Sequence, residues 1–283
     1  MTFYDRILKL DRRWIYLAVL IAVIWPLLKP IGLPIAISPP SQAIFDRIDS
    51  LEPGNTVLIA MDFDPSSKPE LYPMTLALMR HCFAKDLKII ANTMWVTGAA
   101  LGEEAMSTVA KEFDKENGVD YCYLGYKAGN AIVIVSMGES IKNTYPTDYY
   151  GKATNTLPIF DKVDKLHELD FMVDLAAGAT VETWIAYGKE RYIFEMGAGC
   201  TAVSATQYYP FLDTGQIIGL LGGLKGAAEY EKMIVDAGYV EVPGKATAGM
   251  DAQSIVHLMT VIIVILANIL YLLQRSVKVK EED

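Results

Sequence analysis

The stretch IVHLMTVIIVILANILYLL, residues 255–273, runs 19 residues without a charge. As a helix rising about 1.5 Å per residue it is about 28 Å long, close to the hydrocarbon thickness of a bilayer. It reads as a transmembrane helix, with Tyr271 as an aromatic at its far edge. Two polar residues interrupt it. His257 lies near one end and can reach water, but Asn268 lies well inside. A bare amide in hydrocarbon is costly, so Asn268 is expected to hydrogen-bond another helix, either the other span or a second copy of the chain.

A shorter apolar run, WIYLAVLIAVIWPLL at 14–28, is expected to be a first span. Trp14 and Tyr16 suit one interface and Trp25 the other. No small-x-small cleavage site follows cleanly, so a signal peptide is the weaker reading. Residues 29–40 form a proline-rich neck. Basic residues Arg6, Lys9, Arg12 and Arg13 precede the first span, and Arg275, Lys278 and Lys280 follow the second. The positive-inside rule then puts both tails, 1–13 and 274–283, in the cytoplasm and the domain at 41–250 on the other side. The expected location is a two-pass cell-membrane protein.

The flanks hold eight of the 25 basic residues and only five of the 34 acidic ones, so the middle is more acidic than the formal charge of −9 suggests. Such a surface repels phosphate backbones, and nucleic acid is not an expected partner. The expected partners are the lipid bilayer, further copies of the chain and another membrane protein. Three cysteines, Cys82, Cys122 and Cys200, fit no zinc or redox spacing and read as small buried hydrophobes.

Within 41–250, apolar runs alternate with helical patterns. TVLIAMDFD (56–64), LKIIANTMW, YCYLGYK, AIVIVSMG, FMVDLAAG and YIFEMGAG read as strands. ELYPMTLALMRHCFAKD, ALGEEAMSTVAKEFDKENG and TVETWIAYGKER read as helices, and 139–170 as irregular cover. This order implies an α/β three-layer sandwich, Rossmann-like or flavodoxin-like, with a mostly parallel sheet of five or six strands.

QIIGLLGGLKGAAEYEKMI (216–234) reads as the closing helix of that domain. In a helix, Gly215, Gly219, Gly222 and Gly226 fall on one stripe, where another backbone can approach. Glycines there cost up to about 1 kcal/mol each against alanine, so a close partner is expected: the domain's own sheet, a neighbouring subunit, or a lipid or ligand. The segment GQIIGLLGGLKGAAEYE, with RRWIYLAVLIAVIWPLLKPIGLP near the start, resembles an uncharacterised group of two-span prokaryotic membrane proteins. That resemblance implies a two-span layout with an α/β domain, but no activity and no site residues.

Several motifs were weighed for chemistry. MDFDPSS carries Asp62 and Asp64 after the first strand, a pair able to hold Mg²⁺. It resembles the haloacid-dehalogenase phosphotransferases, with Asp62 as nucleophile and Asp64 as acid/base. The late strand YIFEMGAGC lacks the paired acids that such enzymes need. GAGCTA, with Gly197 and Gly199, matches a loose dinucleotide pattern but comes too late in the chain. DLAAGATVET places Asp174, Gly178 and Thr180 near a helix start, with Thr180 as expected N-cap. No His–Glu metal motif, Cys/His cluster or nucleophile elbow occurs, and neither a metal nor a cofactor is expected. A ligand, if bound, belongs at the strands' C-terminal ends, where Asp62, Asp64, Trp95, Thr97, Asp174, Gly178, Thr180, Gly197 and Gly199 are the candidate contacts. The function expected first is a membrane-anchored, self-assembling scaffold or interaction module; the second is an extracytoplasmic small-ligand sensor, and the third a Mg²⁺-dependent phosphate-type hydrolase using Asp62 and Asp64.

Overall fold

The computed structural model describes residues 11–282, with side chains to 275. Arg6 and Lys9 of the expected N-terminal tail, Asp283, and the side chains of Lys278 and Lys280 fall outside what is described. The chain forms two units. One joins the segment up to Pro34 with the segment from Thr247 on; the other is Ile35–Ala246.

In the first unit, α1 (Arg12–Leu28) starts at Asp11, whose side chain accepts the Arg13 N–H. Its 17 residues span about 26 Å, short of a hydrocarbon core of about 30 Å. One helix among the described residues is long and apolar enough to cross a membrane. It is Lys245–Arg275, with a mean hydropathy of 2.5 and none of its apolar window buried. Of the two expected spans, this one meets that length and hydropathy and the 17-residue α1 does not. Asn268 donates its amide to the Val264 carbonyl at 2.7 Å, one turn back in its own helix. That bond engages one N–H of the amide within its own helix. Asp251 accepts the backbone N–H groups of Ile31, Gly32 and Leu33 at 2.8, 2.8 and 2.9 Å. A single carboxylate thus fixes the start of the proline-rich neck.

The second unit is a six-stranded, wholly parallel sheet. Its strands are β1 (Thr56–Asp62), β2 (Lys88–Thr93), β3 (Tyr121–Tyr126), β4 (Phe171–Ala176), β5 (Met196–Cys200) and β6 (Leu220–Gly222), in the order β3-β2-β1-β4-β5-β6. That is the Rossmann order rather than the flavodoxin one. Residues on β1 and β4 are all buried, as their unbroken apolar runs require.

Helices α2 (Pro39–Asp49), α3 (Lys68–Ala84), α4 (Ala99–Glu112) and α10 (Gly223–Asp236) cover one face. Ile44 packs over Gly197, and Met74 and Leu175 over Gly199. The other face carries α5 (Ala131–Glu139), α6 (Ile141–Thr144), the short 3₁₀ turns of 154–168, α7 (Thr180–Trp184), α8 (Glu190–Tyr192) and α9 (Ala205–Asp213). Leu58, Ala60, Met172, Ala176, Met196 and Ala198 meet Ile134, Met137, Trp184 and Tyr208 there.

Two elements differ from expectation. AIVIVSMG is helix α5, not a strand. Its burial falls at Val133, Ile134, Met137 and Gly138, a helical period that a short, wholly apolar run conceals. The stretch at 216–234 is not one helix. Ile218 N–H bonds the Met196 carbonyl, Ala198 N–H bonds the Gly219 carbonyl, and β6 follows as the edge strand. Gly223, at φ +59°, then turns the chain into α10. The glycines therefore make no helical stripe. Gly215 lies in a turn at φ +72°, Gly219 and Gly222 are extended approach and strand, and only Gly226 is inside the helix. Gly219 has the Pro40 carbonyl and Ile44 of α2 against it, and Gly226 has the Leu221 backbone.

Candidate functional site

The strand order reverses between β1 and β4, and both strands end at the same rim. In the register, Ala60 lies opposite Asn92 on one side and Asp174 on the other, and Asp62 lies opposite Ala176. Register partners share a face, and so do residues two apart. Asn92, Asp174 and Asp62 therefore stand around Ala60 on one face of the sheet. The methyl group of Ala60 fills little of the space among them. The result is a closed polar cluster around an apolar floor, called the hollow below, and all four of these residues are 0% exposed.

Each wall residue is held differently. Asp62 Oδ1 accepts the Met94 N–H at 2.6 Å and the Thr93 hydroxyl at 3.3 Å, while Oδ2 has no partner. Asn92 donates its amide to the Tyr145 hydroxyl at 3.3 Å, which leaves its Oδ1 bare. Neither oxygen of Asp174 makes a hydrogen bond, nor does Thr180 Oγ1 on the first turn of α7, although the two lie close together. The Trp184 indole N–H, near Asp62, is also unpartnered. Buried polar groups are almost always paired. Eight buried side-chain polar atoms lack partners among the described residues, and six of them belong to this one cluster.

Electrostatics follow from the same burial. Loss of water raises the Asp62 carboxyl above its ordinary range, against the opposing pull of the Met94 N–H and the Thr93 hydroxyl. Asp174 is raised much further, first by burial and then by the charge of Asp62 beside it. Burial and the neighbouring Asp62 charge thus both favour the protonated form of Asp174.

The rim above is closed. Gly178 packs against the Trp95 ring, where an added Cβ would sit 2.8 Å from Cζ2. Tyr208 donates to the Gly178 carbonyl at 2.9 Å, and its hydroxyl is 3.2 Å from Glu182 Oε2. On the other side an open cleft of about 380 Å³ is lined by Leu124, Lys127, Tyr145 and Tyr149. Tyr145, which bonds Asn92, also lines this cleft and so forms the wall between it and the hollow. A π-helical turn, Ile185–Lys189, follows Trp184 directly; such turns recur near functional sites.

Of the expected contacts, Asp62, Asp174 and Thr180 converge, and Trp95 and Gly178 pack against each other at the rim. Thr180 is not the N-cap: Ala179 holds that position and Thr180 begins the helix. Asp64 is half-buried, with its carboxylate accepting from Ser66 and Ser67 in the turn before α3, so it does not meet Asp62. The pairing of Asp62 with Asp64 is corrected on this geometry. Thr97 is exposed in a 3₁₀ turn. Gly197 and Gly199 are inside β5 and face the opposite helices, not the rim. Asn92, Tyr145 and Trp184 were missed. The visible signal was a polar residue, Asn92, inside an apolar strand run. Among the described residues no three His, Cys, Asp or Glu side chains gather as a metal cluster, and the three cysteines are free and buried.

Fold and site together define a doubly wound α/β domain with a closed polar hollow at its crossover point, on a chain with a membrane-length helix. The chain matches no family model, no curated protein and no solved structure.

Proposed function

We propose that this is a membrane-anchored binding module in which the Asp62–Asn92–Asp174–Thr180 hollow receives a small polar ligand. The carrying observation is the concentration of unpartnered buried polar atoms at the point where doubly wound sheets bind ligands. A guest that completes those bonds removes a desolvation cost of about 1–3 kcal/mol per unmet group. The helix Lys245–Arg275 supplies the anchor. In the same reading α1 is a second, shorter crossing, both chain ends are cytoplasmic and the domain faces outward. The partners are lipid and ligand, with no role for nucleic acid.

A self-assembling scaffold is the weaker reading. Gly219 and Gly226 pack inside the domain, and one N–H of the Asn268 amide is met within its own helix.

Thermal melts of the full chain in detergent, screened against small polar metabolites and inorganic ions, test the binding reading. A ligand at 100 times its Kd adds about 2.7 kcal/mol, or about 5–10 °C. A stabilising hit that Asp174→Asn abolishes supports it. A screen without any hit contradicts it. Tagged termini shaved by protease on intact cells, with the domain protected, would reverse the proposed orientation.

A further inference from the structure

We infer that the occupant of the hollow is a divalent metal cation bound by oxygen alone. The inference rests on the binding reading above and narrows it to one ligand class. The donors are Asp62 Oδ2, Asn92 Oδ1, both oxygens of Asp174 and Thr180 Oγ1; none makes a hydrogen bond of good geometry, and Asp174 lies within interaction range of both Asp62 and Thr180. Carboxylate, amide and hydroxyl oxygens are the hard donors that suit Mg²⁺, Mn²⁺ and Ca²⁺. Two carboxylates balance a double positive charge and exclude an anion.

The hollow also has the outer bonds of a built metal site. Met94 N–H and the Thr93 hydroxyl hold one oxygen of Asp62 and leave the other free. The Tyr145 hydroxyl accepts from the amide nitrogen of Asn92 and leaves its oxygen free. Partners of this kind orient metal ligands and are part of the design of such sites. Asn92 is an independent pointer to a guest: it is 0% exposed, carries no charge, and still has an unpartnered acceptor on the sheet face it shares with the two acids.

Softer metals have no ligands here. His81 is on α3, on the opposite face, and bonds Tyr230. A single ion also suits the enclosure better than an organic amine. Asp62, Asn92, Asp174 and Trp184 are all 0% exposed, and Tyr145 closes the side toward the cleft, which leaves no passage for a carbon tail. Entry requires Tyr145 or Trp95 to swing aside.

The test uses the full chain in detergent, stripped with EDTA and then titrated with Mn²⁺, Mg²⁺ or Ca²⁺ at matched ionic strength. Electron paramagnetic resonance counts bound Mn²⁺, and thermal melting reads stabilisation. One Mn²⁺ per chain is expected, with a rise of about 5 °C or more at saturating ion. Asp174→Asn should weaken Mn²⁺ binding at least tenfold, while Asp64→Asn, on the turn before α3, should leave it unchanged. If Asp174→Asn does not fold, Thr180→Val removes one ligand at constant volume and should weaken binding severalfold. Failure of all three ions, together with an organic hit that depends on Asp174, would overturn the cation and leave the binding reading standing. Failure of ions and organic ligands alike would overturn both.

Discussion

Alanine placed in turn at Gly215, Gly219, Gly222 and Gly226 separates packing inside the domain from packing between subunits. At Gly219 a new Cβ would run into the Pro40 carbonyl and lie 2.6 Å from Ile44 Cγ1. Both belong to α2, whose backbone cannot yield cheaply, so the cost is about 3 kcal/mol, the upper end for overpacking. For a domain of this size that is a fall in melting temperature of about 6–12 °C. At Gly226 the Cβ would lie 2.7 Å from the Leu221 carbonyl carbon. The strain of about 2 kcal/mol is offset by about 1 kcal/mol of helix propensity. Gly215 has nothing within 4 Å but sits at φ +72°, and alanine there costs about 1 kcal/mol of backbone strain. Gly222 meets only the Ala205 methyl at 3.3 Å, and its substitution should stay within about 0.5 kcal/mol. Melting of the full chain in detergent, with particle mass measured in parallel, reads both effects. If Gly219→Ala melts like the parent but breaks a larger particle apart, the glycine faces a neighbouring copy and the packing described here is wrong.

Three further outcomes follow from buried charge and capping. Burial pushes the His81 imidazole down to about 4, below its ordinary 6.5, so protonation favours the unfolded chain; its contribution is complete above pH 6.5, falls between 6.5 and 4, and totals about 3 kcal/mol. His81→Gln should flatten that part of the pH–stability curve, and an unchanged slope would contradict the burial argument. Asp174 has the opposite sign, because its raised carboxyl makes high pH costly. Asp174→Asn in EDTA should therefore stabilise the chain more at pH 8 than at pH 5, and a loss at both would mean the carboxylate has a partner of its own. Asp251→Ala should speed hydrogen exchange at Ile31, Gly32 and Leu33 at least tenfold, since it removes the acceptor for all three N–H groups; unaltered exchange would refute the clamp.

The sheet was legible because its strands are buried on both faces, and runs such as TVLIAMD allow little else. AIVIVSMG was not, since a short apolar run carries no period to tell helix from strand. The glycine stretch misled for a related reason. Helical spacing of glycines is also what a close-packed edge strand followed by a helix presents, and the partner that decides, Pro40 and Ile44 of α2, is far away in sequence. Asp62, Asp174 and Thr180 could be named from their places at strand ends. Their convergence with Asn92, Tyr145 and Trp184 depends on the β2-β1-β4 register, which a single sequence does not fix. Asp64 drew attention by its spacing from Asp62, yet serves only the turn before α3.

The hollow above Ala60 can be seen directly by crystallising the full chain with Mn²⁺ and collecting data at the manganese edge. An anomalous peak within ligand distance of Asp62 Oδ2, Asn92 Oδ1 and Asp174 is the expected result. A map without any guest there, with the two carboxyl groups bonded to each other and Asn92 turned away, would contradict the idea that this cluster exists to bind.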